Sequence, residues 1–409
     1  MNAESNFRKF IFLWVGELIS QIGGGLTSFG LGVYVFQQTG RATDMALITL
    51  IGFLPGLILS IPAGVLADKY DRRLLMVIGD GCSGMGIVFT LWCMINGEVT
   101  LSQIGIGVFI SSAFSSLLEP SYKATINDLL TKEDFSKASG LLSLAGSAKY
   151  LFSPIIAGLL LTISDVKLLL MIDICTFILT VVCTLIIRKS IEKKNSTTDC
   201  FLRGLKDGWN VVYRSKGVFI LVMLAGIITL FIGIFQVLAV PMLLSITDSK
   251  TLGIAETICA SGMLISGIFL GIRGIKKNFV KILSISLTLS GVFILGFGIF
   301  ERVLPMCLFG FLFFAALPFA SNCLEYLSRT NIPDEFQGRA WGLIGFLSQL
   351  GYVVAYSVSG TIADHLGVLT GRGVGRASAM IVGISGICLM AISLCIPMIK
   401  RIRELENNA

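Results

Sequence analysis

The chain has 409 residues, of which 54% are apolar and 14% are charged. Soluble domains carry about 25% charged residues, so this composition excludes an ordinary soluble protein and indicates one that crosses a membrane many times. The chain has one histidine and shows no phosphate-binding loop and no His/Cys/carboxylate cluster with metal-ligand spacing. We therefore expect no metal, no cofactor and no enzymatic activity.

Twelve apolar runs predict twelve transmembrane helices. Each run can cross a hydrocarbon core of about 30 Å, because an α-helix rises about 1.5 Å per residue. The first run follows Arg8 and Lys9 and is too long for a signal-peptide core, so we expect it to be a retained helix. The predicted spans are 10–36, 45–67, 74–95, 103–126, 137–163, 166–187, 217–243, 251–272, 279–300, 303–328, 339–366 and 376–399.

Lysine and arginine are distributed unequally between the two sets of loops. The N-terminus, the loops after even-numbered spans and the C-terminus hold 25 of the 32 basic residues, the opposite loops hold six, and Lys149 lies inside a span. The positive-inside rule then predicts that both termini are cytoplasmic. This bias, together with attraction to anionic lipid, explains the net charge of +7, so we expect no nucleic-acid partner.

The longest connection separates six spans from six and predicts the domain organisation. We expect an N-terminal six-helix bundle over 1–190, a cytoplasmic linker over 191–216 and a C-terminal six-helix bundle over 217–409. Apolar residues recur at helical spacing in the second part of the linker: Phe201, Leu205, Trp209 and Val212. This pattern predicts an amphipathic helix on the membrane surface, which is either a plain connection or a regulatory element.

A short charged turn joins the second and third spans, and it reads G-V-L-A-D-K-Y-D-R-R from Gly64 to Arg73. The spacing G-x-x-x-D-[RK]-x-[GD]-R-[RK] resembles the signature turn of the major facilitator superfamily. A degraded copy of this turn occupies 267–277, as expected for a chain built from two related halves. The resemblance implies an all-α membrane protein with twelve transmembrane helices in two six-helix pseudo-symmetric bundles.

The resemblance also implies a gating role for this turn. Its aspartate, Asp68, would cap the N-terminus of span 11 in the other half, and Arg72 would pair with Asp128 at the end of span 4. A plain basic anchor is the alternative; it explains the basic residues but not Asp68. The residues assigned to the gating motif are Gly64, Asp68, Lys69, Asp71, Arg72, Arg73 and Asp128.

Three further stretches resemble the bacterial macrolide-efflux-like branch of that superfamily: Gly52-Phe-Leu-Pro55, Ser153-Pro154 and Met171-Ile-Asp173. This resemblance implies a monomer in the bacterial plasma membrane that exports amphipathic drugs such as macrolides by proton antiport and alternating access. Its partners would be the amphipathic small molecule, protons and the lipid bilayer. The alternatives are an exporter of a native metabolite, siderophore or lipid, and a non-transporting sensor or scaffold, which we would expect to carry an additional soluble domain.

Glu17 is the first candidate for proton coupling. A charged side chain at mid-membrane costs roughly 2.5–3.5 kcal/mol on insertion scales, so an intramembrane carboxyl group is a functional candidate. Glu17 lies one third into span 1, with Gln21 four residues on along the same helix face. Such a carboxyl group can exchange a proton and compete for it with a cationic substrate. The alternative is that Glu17 only forms a hydrogen bond within the helix bundle.

Lys149 lies in the middle of span 5, before a stretch (Ser153-Pro154-Ile-Ile-Ala157-Gly158) that resembles a worn antiporter motif. We expect Lys149 either to pair with Glu17 or Glu119 or to extend its amine towards an interface.

Further candidates for the substrate cavity lie in other spans. Glu119 in span 4 and Glu325 in span 10 lie in the cytoplasmic thirds of corresponding helices, where they either line the cavity or reach the interface. Glu256 in span 8 is either functional or structural. For Asp173 in span 6, structural hydrogen bonding is the better interpretation.

Overall fold

The structure, a computed structural model, describes residues 6–131, 134–188, 213, 215–333 and 337–407. The regular elements among these residues are helical. They are α1 (Phe7–Thr39), α2 (Ala42–Lys69), α3 (Arg72–Asn96), α4 (Leu101–Ser115), α5 (Leu118–Leu129), α6 (Phe135–Ile163), α7 (Val166–Arg188), α8 (Lys216–Leu244), α9 (Ser249–Arg273), α10 (Phe279–Ile299), α11 (Val303–Thr330), α12 (Gln337–Thr370), α13 (Gly373–Cys395), a 3-10 turn (Ile396–Met398) and α14 (Lys400–Asn407).

Twelve helical segments among the described residues are long and apolar enough to cross a membrane. The prediction of an all-α membrane protein with twelve spans is therefore confirmed. Most spans extend a few residues beyond the predicted limits; the first runs from Phe7 to Thr39, where 10–36 was expected. Helix ends extend beyond the apolar run because polar residues in the last turn can still complete backbone hydrogen bonds outside the hydrocarbon layer.

The fourth span is two helices and not one. Helix α4 ends at Ser115 and α5 begins at Leu118. Pro120 lies in the first turn of α5, where its missing N–H is tolerated. In a continuous helix its ring would collide with the carbonyl group of Ser116, so the helix is interrupted there. The predicted span 103–126 agrees with a single crossing over Leu101–Ile126, but the interruption within it was not predicted.

The chain divides into two compact units. The first comprises Met1–Thr39 and Ile48–Asp199, and the second comprises Gly40–Leu47 and Cys200–Ala409. The first residues of α2 thus group with the second unit, a feature that the predicted boundary near residue 190 did not include. The predicted amphipathic helix of the linker lies outside the described residues.

In the first unit, α1 packs against α6 and α7. Small residues allow this close approach, as in other membrane helix pairs. A Cβ atom on Gly23 would lie 2.8 Å from Oδ1 of Asp173, and a Cβ atom on Gly25 would overlap Ser153. The Ser153 hydroxyl donates to the carbonyl oxygen of Ile22 at 2.9 Å. These contacts place polar groups of α6 and α7 directly against α1.

In the second unit, the most extensively packed helix pairs are α10 with α13, α8 with α12, α9 with α11 and α10 with α11. Phe235 of α8 lies at the centre of an aromatic cluster, with its ring centroid 4.8 Å from those of Phe297 and Phe313. All three rings are buried. Edge-to-face and tilted ring pairs of this kind stabilise a core beyond the area that they bury.

The N-terminus of α2 is capped by a side chain of α12. Asp364 accepts hydrogen bonds from the backbone N–H groups of Ala42 at 2.8 Å and Thr43 at 2.9 Å, and from the Thr43 hydroxyl at 2.5 Å. Nε of Arg41 lies 3.9 Å from the same carboxylate. A carboxylate at this position satisfies two otherwise unpaired N–H groups and interacts favourably with the helix dipole.

Candidate functional site

The turn between α2 and α3 has a defined local geometry. Helix α2 ends at Lys69, and Asp71 is the N-cap of α3, because its Oδ1 accepts a hydrogen bond from the N–H of Arg73 at 3.1 Å. An aspartate at this position satisfies one of the free N–H groups of the first helical turn. Asp68 is exposed in the last turn of α2, and Gly64 is half-buried one turn earlier.

Arg72 connects this turn to α5. Its Nη1 donates to Oδ1 of Asp128 at 2.8 Å and to the carbonyl oxygen of Ala124 at 3.2 Å, while its Nε donates to the carbonyl oxygen of Ala67 at 3.2 Å. The buried Arg73 places Nη2 3.9 Å from Oδ2 of the same aspartate. The Arg72–Asp128 pair is the one that the family resemblance implied. Several donors on one partly buried carboxylate make this contact stronger than an isolated surface ion pair.

Glu17 and Gln21 form a polar pair on α1. The Gln21 amide donates to Oε1 of Glu17 at 2.8 Å, and both side chains are half-buried. Among the described residues, no lysine or arginine lies within ion-pair distance of Glu17. The carboxyl group can therefore change its proton occupancy without breaking an ion pair.

Lys149 is not paired with either of the acids proposed for it. Within the described part of the chain it forms no ion pair with Glu17 or Glu119, and its side chain instead packs beside Gly25 of α1. The carboxylate whose charge it influences is Asp173. The alternative of an amine extended towards an interface stays a prediction.

The two acids predicted in the cytoplasmic thirds of spans 4 and 10 are exposed, and each pairs with a base one turn away. Glu119 accepts a hydrogen bond from Lys123 at 2.6 Å. Glu325 lies 3.4 Å from Arg329. These are local pairs along a single helix, which contribute little to stability. Their lining of a cavity therefore remains a prediction.

Glu256 belongs to the second unit, on α9. It is half-buried, and no ion pair or hydrogen bond to it is present among the described residues. The buried Cys259 lies near Glu256, and its thiol is 3.9 Å from the carbonyl oxygen of Cys307. An acid without a hydrogen-bond partner in the membrane remains a candidate for proton exchange.

Two carboxyl groups of the first unit are almost fully buried: Asp173, for which structural hydrogen bonding was expected, and Asp80, which was not considered. Asp173 is 1% exposed and accepts hydrogen bonds from the hydroxyl groups of Thr27 at 2.5 Å and Thr176 at 3.3 Å. Asp80 of α3 is 2% exposed, and its Oδ1 has no hydrogen-bond partner in the structure. Sequence reasoning missed Asp80, although an ionisable residue inside the third apolar run was a visible signal.

The described residues hold no group of three or more histidine, cysteine, aspartate or glutamate side chains that could bind a metal ion. The chemistry available in the membrane is therefore that of single carboxyl groups, hydroxyl groups and one lysine.

Comparisons with known proteins agree with this architecture. A family model of the Major Facilitator Superfamily matches residues 13–355. Macrolide efflux protein A of Streptococcus pyogenes is 27% identical over 97% of this chain and 97% of that protein. The Staphyloferrin A transporter of Staphylococcus aureus is 23% identical over 99% of this chain and 97% of that protein.

Among solved structures, the POT family transporter PepTSo matches with a TM-score of 0.79 and 10% identity, covering 98% of this chain and 99% of that one. At this identity the likeness shows the fold alone. The family model covers most of the chain, and the twelve spans agree with it, so the predicted resemblance and the predicted major facilitator fold are both confirmed. The chain is a multi-pass membrane protein and belongs to the Major Facilitator Superfamily.

Proposed function

We propose that this protein is a secondary active exporter, which moves an amphipathic small molecule out of the cell in exchange for protons. The observation that carries the proposal is the end-to-end similarity to macrolide efflux protein A, which spans 97% of both chains. Macrolides are amphipathic molecules that carry an amine, and they are the first substrates to test.

Glu17 is the proposed proton-coupling residue. Its carboxyl group is half-buried on α1, bonded to Gln21 at 2.8 Å and not held in an ion pair within the described residues. The ionised form would attract a cationic amine, and the protonated form would release it. Exchange follows because substrate and proton bind to the same group in alternation.

The turn between α2 and α3 is the proposed gate of an alternating-access cycle. Arg72 and Asp128 join α3 to α5 through an ion pair at 2.8 Å, so these two helix ends would move together in the cycle. Asp68 is exposed beside it, and in the proposed cycle it would contact a partner helix in only one state. Asp68 would thereby bias which side of the membrane is open.

The cellular setting belongs to the same proposal. The excess of lysine and arginine in one set of loops supports cytoplasmic termini in a bacterial plasma membrane. We propose that the monomer is the transporting unit, because each major facilitator chain of this length contains both six-helix halves.

A second candidate function is export of a siderophore or another native metabolite. The end-to-end likeness to the Staphyloferrin A transporter favours it. Siderophores that carry carboxylate groups differ from macrolides in charge, so a cationic site such as Lys149 would be more important for them than Glu17.

Drug susceptibility separates these functions. A bacterial strain that overexpresses the protein should tolerate higher macrolide concentrations than the same strain with an empty vector, and a proton uncoupler should remove the difference. Unchanged macrolide tolerance with increased siderophore secretion would favour the second candidate. No change in any exported compound would favour a non-transporting sensor.

A further inference from the structure

Asp80 occupies an unusual environment on α3. It is 2% exposed, and its Oδ1 has no hydrogen-bond partner among the described residues. The hydroxyl group of Thr180 on α7 lies within hydrogen-bonding reach of the carboxyl group. That hydroxyl already donates to the carbonyl oxygen of Phe177 at 2.9 Å. The contact with Thr180 satisfies at most one of the two carboxyl oxygens, so Oδ1 is left without a donor among the described residues.

Two other carboxyl groups act on Asp80 from neighbouring helices. On α1, the residue before Glu17 packs against Thr180, since a Cβ atom on Gly16 would lie 3.8 Å from Cγ2 of Thr180. Asp173 lies two turns before Thr180 on α7, and the charges of Glu17 and Asp173 both act on Asp80. Asp173 and Thr180 are seven residues apart on α7, so about 10 Å separates these two residues along that helix. Asp80 is thus the group that interacts with both of the others.

The remaining polar groups around this site do not neutralise it. From α4, Ser111 and Ser115 lie 2.8 Å from the Ser83 hydroxyl, one turn from Asp80. From α5, the buried Tyr122 places an unpartnered hydroxyl group near Glu17. From α6, Lys149 acts on Asp173, the outermost member.

No described lysine or arginine lies within ion-pair distance of Asp80. Three ionised carboxylates in a low-dielectric environment repel one another, and a lone buried charge costs several kcal/mol. At least one of the three must therefore hold a proton at most times. Asp80 is the member that combines burial with an unpartnered oxygen and two acidic neighbours.

A bound metal ion explains this arrangement less well. A sodium, magnesium or calcium ion needs several oxygen ligands around it. Oδ1 of Asp80 has no polar atom within hydrogen-bond distance, and the described residues contain no group of three acids that could hold a metal. A proton needs no further ligands.

We propose that Asp80 is a proton-binding residue that couples the protonation of Glu17 on α1 to that of Asp173 on α7. Ionisation of either neighbour retains the proton on Asp80, and protonation of either neighbour allows Asp80 to release it. Protonation of Glu17 therefore changes the proton affinity of Asp173, about two helical turns away, through Asp80. The use of this coupling in export rests on the proposed antiport, but the protonation of Asp80 does not.

Infrared spectroscopy of the full-length protein in liposomes tests the proposal without a substrate. Protein labelled with ¹³C at the aspartate carboxyl groups should show a protonated-carboxyl band that shifts with the label and disappears at alkaline pH. Asp80→Asn should remove that band. Thr90→Val on the same helix should keep it, since Thr90 is fully buried and bonds only to the carbonyl group of Gly86.

Asp80→Glu keeps the inference testable if Asp80→Asn does not fold, because the glutamate carboxyl group carries no label and the labelled band should vanish. An identical labelled band in either variant would overturn the assignment, as would its absence from the wild type. Glu17→Gln should shift the pH at which the band disappears, and an unchanged midpoint would refute the coupling. A midpoint that differs between sodium and choline salts would show a cation site instead.

Proton flux in wild-type proteoliposomes is measured separately. If substrate drives no proton movement, the proposed antiport is wrong, whereas the infrared bands alone decide the protonation of Asp80. If flux is present, Asp80→Asn should reduce it, and full wild-type flux in that variant would exclude Asp80 from the transport cycle.

Discussion

The side chain on which export is expected to depend most is Glu17. Glu17→Gln preserves the shape of the side chain and its hydrogen bond to Gln21 but removes the titrating group. We expect this variant to lose pH-driven efflux while substrate binding or downhill movement is partly retained, since a permanently neutral site can still admit substrate. Substrate-induced proton flux in proteoliposomes measures the effect.

Glu98→Gln is the matched control, because it is the same substitution at an exposed position in the loop between α3 and α4. It should transport normally. Wild-type flux in the Glu17→Gln protein would eliminate this assignment and transfer it to Glu256, Glu119 or Glu325.

A second prediction at the scale of single residues concerns pH and stability. Asp248 is the N-cap of α9 and lies outside the membrane-spanning segments; its Oδ1 accepts a hydrogen bond from the N–H of Thr251 at 2.8 Å. Hydrogen bonds from Thr251 hold the pKa of Asp248 below its ordinary value of 3.8. A lowered pKa in the folded state means that the ionised form of Asp248 stabilises α9. This stabilisation is complete above the ordinary pKa and is lost as the pH falls through the lowered pKa of the folded protein.

Thermal unfolding in detergent tests this prediction. The wild type should be more stable than Asp248→Asn at about pH 6, and the difference should shrink at about pH 2, as protonation makes the Asp248 cap increasingly neutral like that of asparagine. An equal difference at both pH values would contradict the assignment.

At the scale of helices, the close packing of α9 against α11 predicts that an added methyl group at Gly262 destabilises the protein. A Cβ atom on Gly262 would overlap the carbonyl oxygen of Phe311 and lie 3.0 Å from the N atom of Ala315, both backbone atoms that cannot move aside. Gly262→Ala should therefore destabilise the protein by roughly 1–3 kcal/mol, as overpacking does.

Gly267→Ala is its control on the same helix, since no atom lies within 4 Å of the added methyl group. Alanine favours a helix by about 1 kcal/mol over glycine, so this variant should be as stable as the wild type or more stable. The unfolding temperatures of the two variants are compared directly. An equal decrease in both would show that close packing at Gly262 does not determine stability.

The cap on α2 is also a property of helices, because it joins a side chain of α12 to the first turn of another helix. Asp364→Ala removes the acceptor of three hydrogen bonds. Loss of a helix cap costs about 0.5–2 kcal/mol, so the unfolding temperature should fall measurably. Asp364→Asn, which keeps one acceptor oxygen, should lose less, and an Ala variant as stable as the wild type would contradict the cap.

For the whole molecule, the distribution of basic residues predicts the orientation in the membrane. In a protein whose native cysteines have been replaced, a cysteine at Gln38 should react with an impermeant reagent from outside the cell. A cysteine at Lys276 should react only after permeabilisation. Both positions are exposed at the ends of helices. The opposite pattern of labelling would reverse the proposed topology.

The twelve spans and the family were predictable because both depend on local sequence. An apolar run of more than 20 residues has few alternatives to a membrane helix, since every backbone polar group must be bonded within the lipid. The turn at Gly64–Arg73 is likewise contiguous, so its residues could be compared directly with a family pattern.

The arrangement of the buried acids could be predicted only in part. Glu17 and Gln21 are four residues apart, so their hydrogen bond follows from helix geometry. The contact between Arg72 and Asp128 joins residues 56 positions apart and was expected only from the family resemblance. Asp80 was not selected, because the sequence alone does not show which face of α3 meets α1 and α7.

The sequence by itself determined the helical class, the number of crossings and the family, since these follow from hydrophobic length and from one contiguous motif. Only the tertiary structure decided which carboxyl groups are buried, which bases they meet and which glycines lie against a backbone. Those properties depend on the rotation and separation of helices that are distant in sequence. The structure therefore did not pair Lys149 with Glu17, left Glu119 in a local pair with Lys123, and buried both Asp80 and Asp173 in the first unit.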